Sequence, residues 1–180
     1  KKLVLGEKKM KRIIPLFLCL IFVLSSCGVN SPYKNVKLPF DGNLYFSMSF
    51  SDLKNVCGNP KEVKDRTEVS KTKYYLYEQN IFGRKASVGY GFFETLLSSE
   101  LVNVTVTFDS ITKDEAASVL QQFSSVFSKE AAEIEGYKNT FEEQHGQTNC
   151  TFAVGNGVTG LEFRTDYDGK TLSIVGIASY

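Results

Sequence analysis

The chain contains no tryptophan and one histidine, His145, among its 180 residues. A single imidazole leaves little from which to build a metal centre, and no Cys-x-x-Cys spacing occurs to supply one from thiolates. There is no Gly-x-Ser-x-Gly elbow, so the usual means of presenting a nucleophilic serine is missing. Gly155-Asn156-Gly157-Val158-Thr159-Gly160 is rich in glycine but lacks the lysine and following helix of a phosphate-binding loop, and reads as a turn. Asp166-Tyr167-Asp168-Gly169 lacks the ligand series of a calcium loop and reads as a hairpin turn. His145 lies in Glu142-Glu143-Gln144-His145-Gly146, where a general base is conceivable but a solvated loop is the ordinary reading. Glu94 and Glu100 flank Thr95-Leu96-Leu97-Ser98-Ser99, ordinarily a solvated loop between strands, and nothing in their spacing sets them across a cleft. Long apolar runs are missing too: Ile13 to Leu24 spans 12 residues, against about 20 needed to cross a bilayer.

That short run has informative neighbours. The basic cluster Lys8-Lys9-Met10-Lys11-Arg12 precedes it, and Leu24-Ser25-Ser26-Cys27 closes it, followed by Gly28. Positive, then apolar, then small is the order of an export signal. The ending resembles the lipobox of bacterial lipoproteins. The resemblance implies that the Cys27 thiol receives a diacylglyceryl group and that a peptidase cuts between Ser26 and Cys27. Residues 1–26 are then a signal peptide, with Met10 an ordinary start for it. Residues 27–40, polar around Asn30-Ser31-Pro32, read as a lipidated tether reaching about 40 Å at full extension. Residues 41–180 are expected to form one domain. The place implied is the extracytoplasmic face of a cell membrane or outer membrane.

Loss of residues 1–26 removes six basic residues and one acidic residue. It turns 21 Lys+Arg against 20 Asp+Glu into 15 against 19, a net charge of −4. That balance argues against a nucleic-acid partner, which would need a basic face. It is also not drawn electrostatically to anionic lipid, so the acyl chains would do the anchoring. Of the four cysteines, Cys19 falls in the leader and Cys27 is the lipid site. Cys57 and Cys150 remain. They can pair, since a disulfide is permitted outside the membrane, or pack as two free thiols, which is the favoured reading.

The rest alternates between two periodicities. Ser49 with Asp52 three residues on is a capping-box pattern. Phe50, Leu53, Val56 and Cys57 follow at helical spacing, and Gly58 and Pro60 end the helix. Lys73–Tyr77, Ala86–Phe92 and Val102–Phe108 are expected strands, with Asn80–Gly83 a turn. In the last strand valines and Phe108 alternate with Asn103, Thr105 and Thr107, one face buried and one wet. Thr112 and Glu115 make a second capping box. Ala116, Val119, Leu120, Phe123, Val126 and Phe127 then give a buried stripe reaching about Ser128. Strands near 148–154, 159–165 and 171–179 follow, with Asn156-Gly157 and Asp168-Gly169 as hairpin turns. The expected class is α+β in the order α-β-β-β-α-β-β-β, possible as two similar halves, with both helices on one face of an antiparallel sheet. By alternation some of Tyr74, Tyr75, Tyr77 and Tyr90 face outward as candidate binding residues, although the core is the commoner home for such rings.

Met48, Ser49, Leu53, Gly58 and Pro60 resemble the "M-S-x-x-x-V-x-x-x-x-G-x-P" opening of β-lactamase-inhibitor-protein-like domains and of outer-membrane assembly lipoproteins of the SmpA/OmlA type. That resemblance implies a helical segment ahead of a small antiparallel sheet, sometimes in tandem. The second half of the chain lacks the Gly-x-Pro signature. The functional expectation is a lipid-anchored, non-catalytic protein-interaction module of the cell envelope without a cofactor. The alternative is a small-ligand or glycan binder, and the least favoured reading is a hydrolase using His145.

Overall fold

Ser49 caps the first helix as its spacing predicts. Its hydroxyl accepts the Asp52 amide at 3.1 Å, while the Asp52 carboxylate takes the Ser49 amide. Helix α1 (Phe50–Cys57) is stopped by Gly58, whose φ of 76° suits glycine. Before it lies a small hairpin, β1 (Lys37–Leu38) and β2 (Asp41–Tyr45). After it come β3 (Glu62–Arg66), a one-turn helix α2 (Thr67–Ser70), β4 (Thr72–Ile81), β5 (Arg84–Glu94) and β6 (Ser99–Phe108). Helix α3 (Lys113–Ala132) then precedes β7 (Lys138–Glu142), β8 (Thr151–Gly155), β9 (Gly160–Tyr167) and β10 (Leu172–Ser179). The computed structural model describes residues 36–96, 98–132, 138–142, 151–155 and 160–179. Cys27, Ser26, Cys150, His145 and the Asn156-Gly157 turn lie outside them.

The class is α+β. Eight strands form one antiparallel sheet in the order β3-β4-β5-β6-β10-β9-β8-β7. Each half therefore contributes four consecutive strands, and the halves meet where β6 pairs with β10. The expected order of three strands per half is corrected by β3 and β7 at the two edges. Edge strand β3, Glu-Val-Lys-Asp-Arg, is exposed at every position. Without a buried face it has no apolar alternation to be read, and its charges suit an unpaired edge. The folded part also begins earlier than residue 41: Leu38 is buried, and Val36 and Phe40 pack against the core.

Both helices cover the same side of the sheet. Phe50 of α1 stacks on Tyr75 with ring centres 3.8 Å apart and meets Phe92 edge-on. Phe123 and Phe127 of α3 meet Phe163 of β9 edge-on at 5.1 and 5.6 Å. Phe163 needs the room left by Gly176 on the neighbouring strand, where a Cβ would lie 2.3 Å from its ring. Val56, expected on the buried stripe of α1, is instead 46% exposed, and Leu53 is the residue that α1 buries fully. In β6 the register slips by one residue opposite Gly91/Phe92, so Leu101 rather than Val102 joins Val104, Val106 and Phe108 in the core. The second capping box forms as expected, the Thr112 amide donating to Glu115 at 2.8 Å.

Candidate binding face

The opposite side of the sheet has no helix packed on it among the described residues. Its surface follows from the strand register. One row crosses Glu62, Leu76, Gly89, Thr105, Val175 and Arg164. The next crosses Lys64, Tyr74, Gly91, Asn103, Ile177 and Glu162. A third joins Glu78, Ser87, Thr107 and Ser173. Two glycines shape this surface. A Cβ on Gly91 would lie 2.8 Å from the Tyr74 ring, and one on Gly89 would lie 3.1 Å from Leu76. Without those atoms Tyr74 and Leu76 lie down across β5.

The result is an open groove of about 600 Å³ over β3 to β6. Tyr74 and Leu76 give it an apolar strip, Ser87, Thr105 and Thr107 a row of hydroxyls, and Lys64, Arg66 and Asp109 charge around it. Much of that charge is internally matched. Glu78 takes Lys61 and also Lys85 at 2.9 Å, and these two bonds hold its carboxyl down at about 2. Lys64 stands 3.8 Å from Glu62. The groove thus combines charges of both signs, hydroxyls and one half-exposed ring.

The four candidate tyrosines separate sharply. Tyr74 alone reaches the open face. Tyr75, Tyr77 and Tyr90 point the other way and are 7%, 6% and 0% exposed. Their proposed role in binding is therefore corrected to a role in the core. Strand β4 is buried by helices on one side, so successive residues fall on opposite faces, and Tyr75 and Tyr77 share the inner one. Their hydroxyls still find partners, as buried phenols must. Tyr90 donates to Gln79 at 2.8 Å, Gln79 donates to the Cys57 sulfur at 3.2 Å, and Tyr77 donates to the Gly58 carbonyl at 3.2 Å. Burial raises the Tyr90 hydroxyl far above its ordinary value and pushes Tyr77 up to about 12.

Cys57 is a free, half-buried thiol. Burial, and then the Asp41 carboxylate, push its pKa up, so it stays protonated and is a poor nucleophile. Its expected alternative partner, Cys150, lies outside the described residues, as does His145. Glu94, one of the two carboxylates weighed for sugar chemistry, accepts the Ser99 hydroxyl at 2.9 Å. Asp168 accepts the Lys170 and Thr171 amides at 2.9 and 2.7 Å, the work of a turn. Among the described residues no three His, Cys, Asp or Glu side chains gather to hold a metal, and no helix is long and apolar enough to cross a membrane.

Leu76, Gly89, Thr105, Thr107 and Lys64 are not singled out as site residues by sequence reasoning. Two signals for them exist: the Asn103/Thr105/Thr107 wet face, and the small residues Ser87, Gly89 and Gly91 alternating with large ones. The chain matches no family model, and neither curated proteins nor solved structures contain a match to it.

Proposed function

We propose that this chain is a lipid-anchored extracytoplasmic protein acting as a non-catalytic protein-interaction module of the cell envelope. Cys27 carries the anchor in this reading, and the uncovered sheet face receives the partner. The observation that supports it is the open groove. It is broad and uncapped, and it mixes an aromatic ring with hydroxyls and both charges. A protein surface meets such a face more readily than a small molecule, which favours enclosure on most sides. The hydroxyl row beside Tyr74 supports the second reading, a glycan laid across the same face.

The test has two arms. Cys27→Ala should leave a precursor that takes up no labelled fatty acid; retained label would refute the anchor. Crosslinking of the lipidated protein in its own membranes should then yield a protein adduct that is lost in Tyr74→Ala and kept in His145→Ala. Retention of binding by soluble glycan, with no protein adduct, would favour the second reading.

A further inference from the structure

Among the described residues five large apolar side chains stand exposed: Val56, Val63, Phe93, Leu96 and Ile177. Three of them gather at one end of the sheet, where β5 and β10 finish and β6 starts. Phe93 pairs with Glu100, and Ile177 with Asn103, on the two neighbours of β6. Leu96, wholly exposed, sits beyond them at the tip of the β5–β6 hairpin. The tip is a built turn: the Thr95 amide donates to the Ser98 carbonyl at 2.8 Å, and the Ser98 amide to the Thr95 hydroxyl at 2.9 Å. Turn positions normally go to Gly, Asn, Asp or Pro, so a leucine presented wholly to solvent there is unexpected.

The chain enters the fold at the same end. The Val36 carbonyl accepts the Phe46 amide at 3.0 Å, the Ser47 amide donates to the Leu101 carbonyl at 2.9 Å, and the Leu101 amide to the Met48 carbonyl at 3.1 Å. Leu101 is the third residue of β6, and the five residues from it to Leu96 span at most about 17 Å. From Cys27 to Val36 the chain, however arranged, reaches no more than about 30 Å. An acyl group on Cys27 thus tethers the domain by the end that carries Leu96, not by the Asp168–Thr171 turn at the far end.

We infer that the β5–β6 tip is a second membrane contact, with Leu96 entering the interfacial region of the bilayer and Phe93 and Ile177 close behind it. This rests on the lipid-anchor reading of Cys27. One leucine is too small to bring a free protein to a membrane. Once the domain is tethered the contact is intramolecular, at high effective concentration, and a small apolar area suffices to set orientation. The groove would then open sideways along the membrane surface.

The absence of tryptophan gives a clean probe. Phe93→Trp reports on the tip without touching Leu96, and Lys170→Trp, exposed at the opposite end, is the reference. Each full-length lipidated protein is placed in phosphatidylethanolamine/phosphatidylglycerol vesicles with brominated acyl chains, and fatty-acid label is counted on the same sample. The expected result is loss of most of the indole emission from the Phe93→Trp protein, with little loss from the Lys170→Trp protein. Adding Leu96→Asp to Phe93→Trp should restore the emission. Equal quenching at both positions, or none at either, in labelled protein overturns the contact while leaving the anchor standing. Quenching at position 93 that survives Leu96→Asp overturns the role of Leu96. Protein without fatty-acid label overturns the anchor and the contact together.

Discussion

Tyr74 and Tyr75 are chain neighbours on opposite faces of one strand, and the sheet treats them oppositely. Tyr75 is clamped between Phe50 and Phe92 under α1. Tyr74 lies across Gly91 on the uncovered side. Glycine divides in the same way. Gly176 on the inner face makes room for Phe163 in the core, whereas Gly91 and Gly89 on the outer face let Tyr74 and Leu76 recline and open a groove. One face uses its aromatic rings for stability. On the other, the Tyr74 ring lines an open groove.

Several substitutions can break this contrast. Phe123→Asp, on the buried stripe of α3, should abolish folding. An unpaired buried charge costs several kcal/mol, against a domain stability of about 5–15 kcal/mol. A cooperative thermal transition near that of the wild type would show that α3 is not packed on Phe163. Tyr75→Ala should cost about 3–5 kcal/mol, as for other buried aromatics, while Tyr74→Ala should stay within about 0.5 kcal/mol. Paired urea titrations give both numbers, and equal losses would erase the distinction between the faces. Gly176→Ala should cost about 1–3 kcal/mol through overpacking. Gly91→Ala should cost less, because the half-exposed Tyr74 ring can swing away, yet it should impair partner capture by lifting that ring.

The smallest expected effect concerns acid. Glu115 accepts the Thr112 amide and hydroxyl and the Arg84 guanidinium, which together hold its carboxyl at about 2 against an ordinary 4.5. A depressed folded pKa gives stability that is present above 4.5 and lost as pH falls towards 2. Glu115→Gln should therefore flatten part of the stability loss in that window. Glu78, held equally low by Lys61 and Lys85, should keep the remainder. An unchanged acid limb in stability measured against pH would count against the Thr112–Glu115–Arg84 cluster.

Where the chain carries strong local rules, the fold is legible. Ser49/Asp52 and Thr112/Glu115 mark both main helices, and the alternation of Val104, Val106 and Phe108 marks β6. Edge strand β3 escapes because a strand exposed at every position has no periodicity to detect. Val102 reads as a core residue because a one-residue slip cannot be seen in a run where Leu101 and Val102 are both apolar. The four tyrosines show the limit for the site. Period-two alternation requires Tyr74 and Tyr75 to diverge, but only the positions of α1 and α3 decide which face is covered. The groove itself depends on rows that join four to six strands, and that register is not written in any one of them.

The central claim is that the uncovered face is the working face. Site-specific photocrosslinking tests it most directly, from Thr105 at the middle of that face and from the exposed Gln121 on α3, each in lipidated protein within its own membranes. The account predicts a discrete protein adduct from Thr105, lost when Tyr74→Ala is added, and none from Gln121. An adduct from Gln121 with none from Thr105 would contradict it.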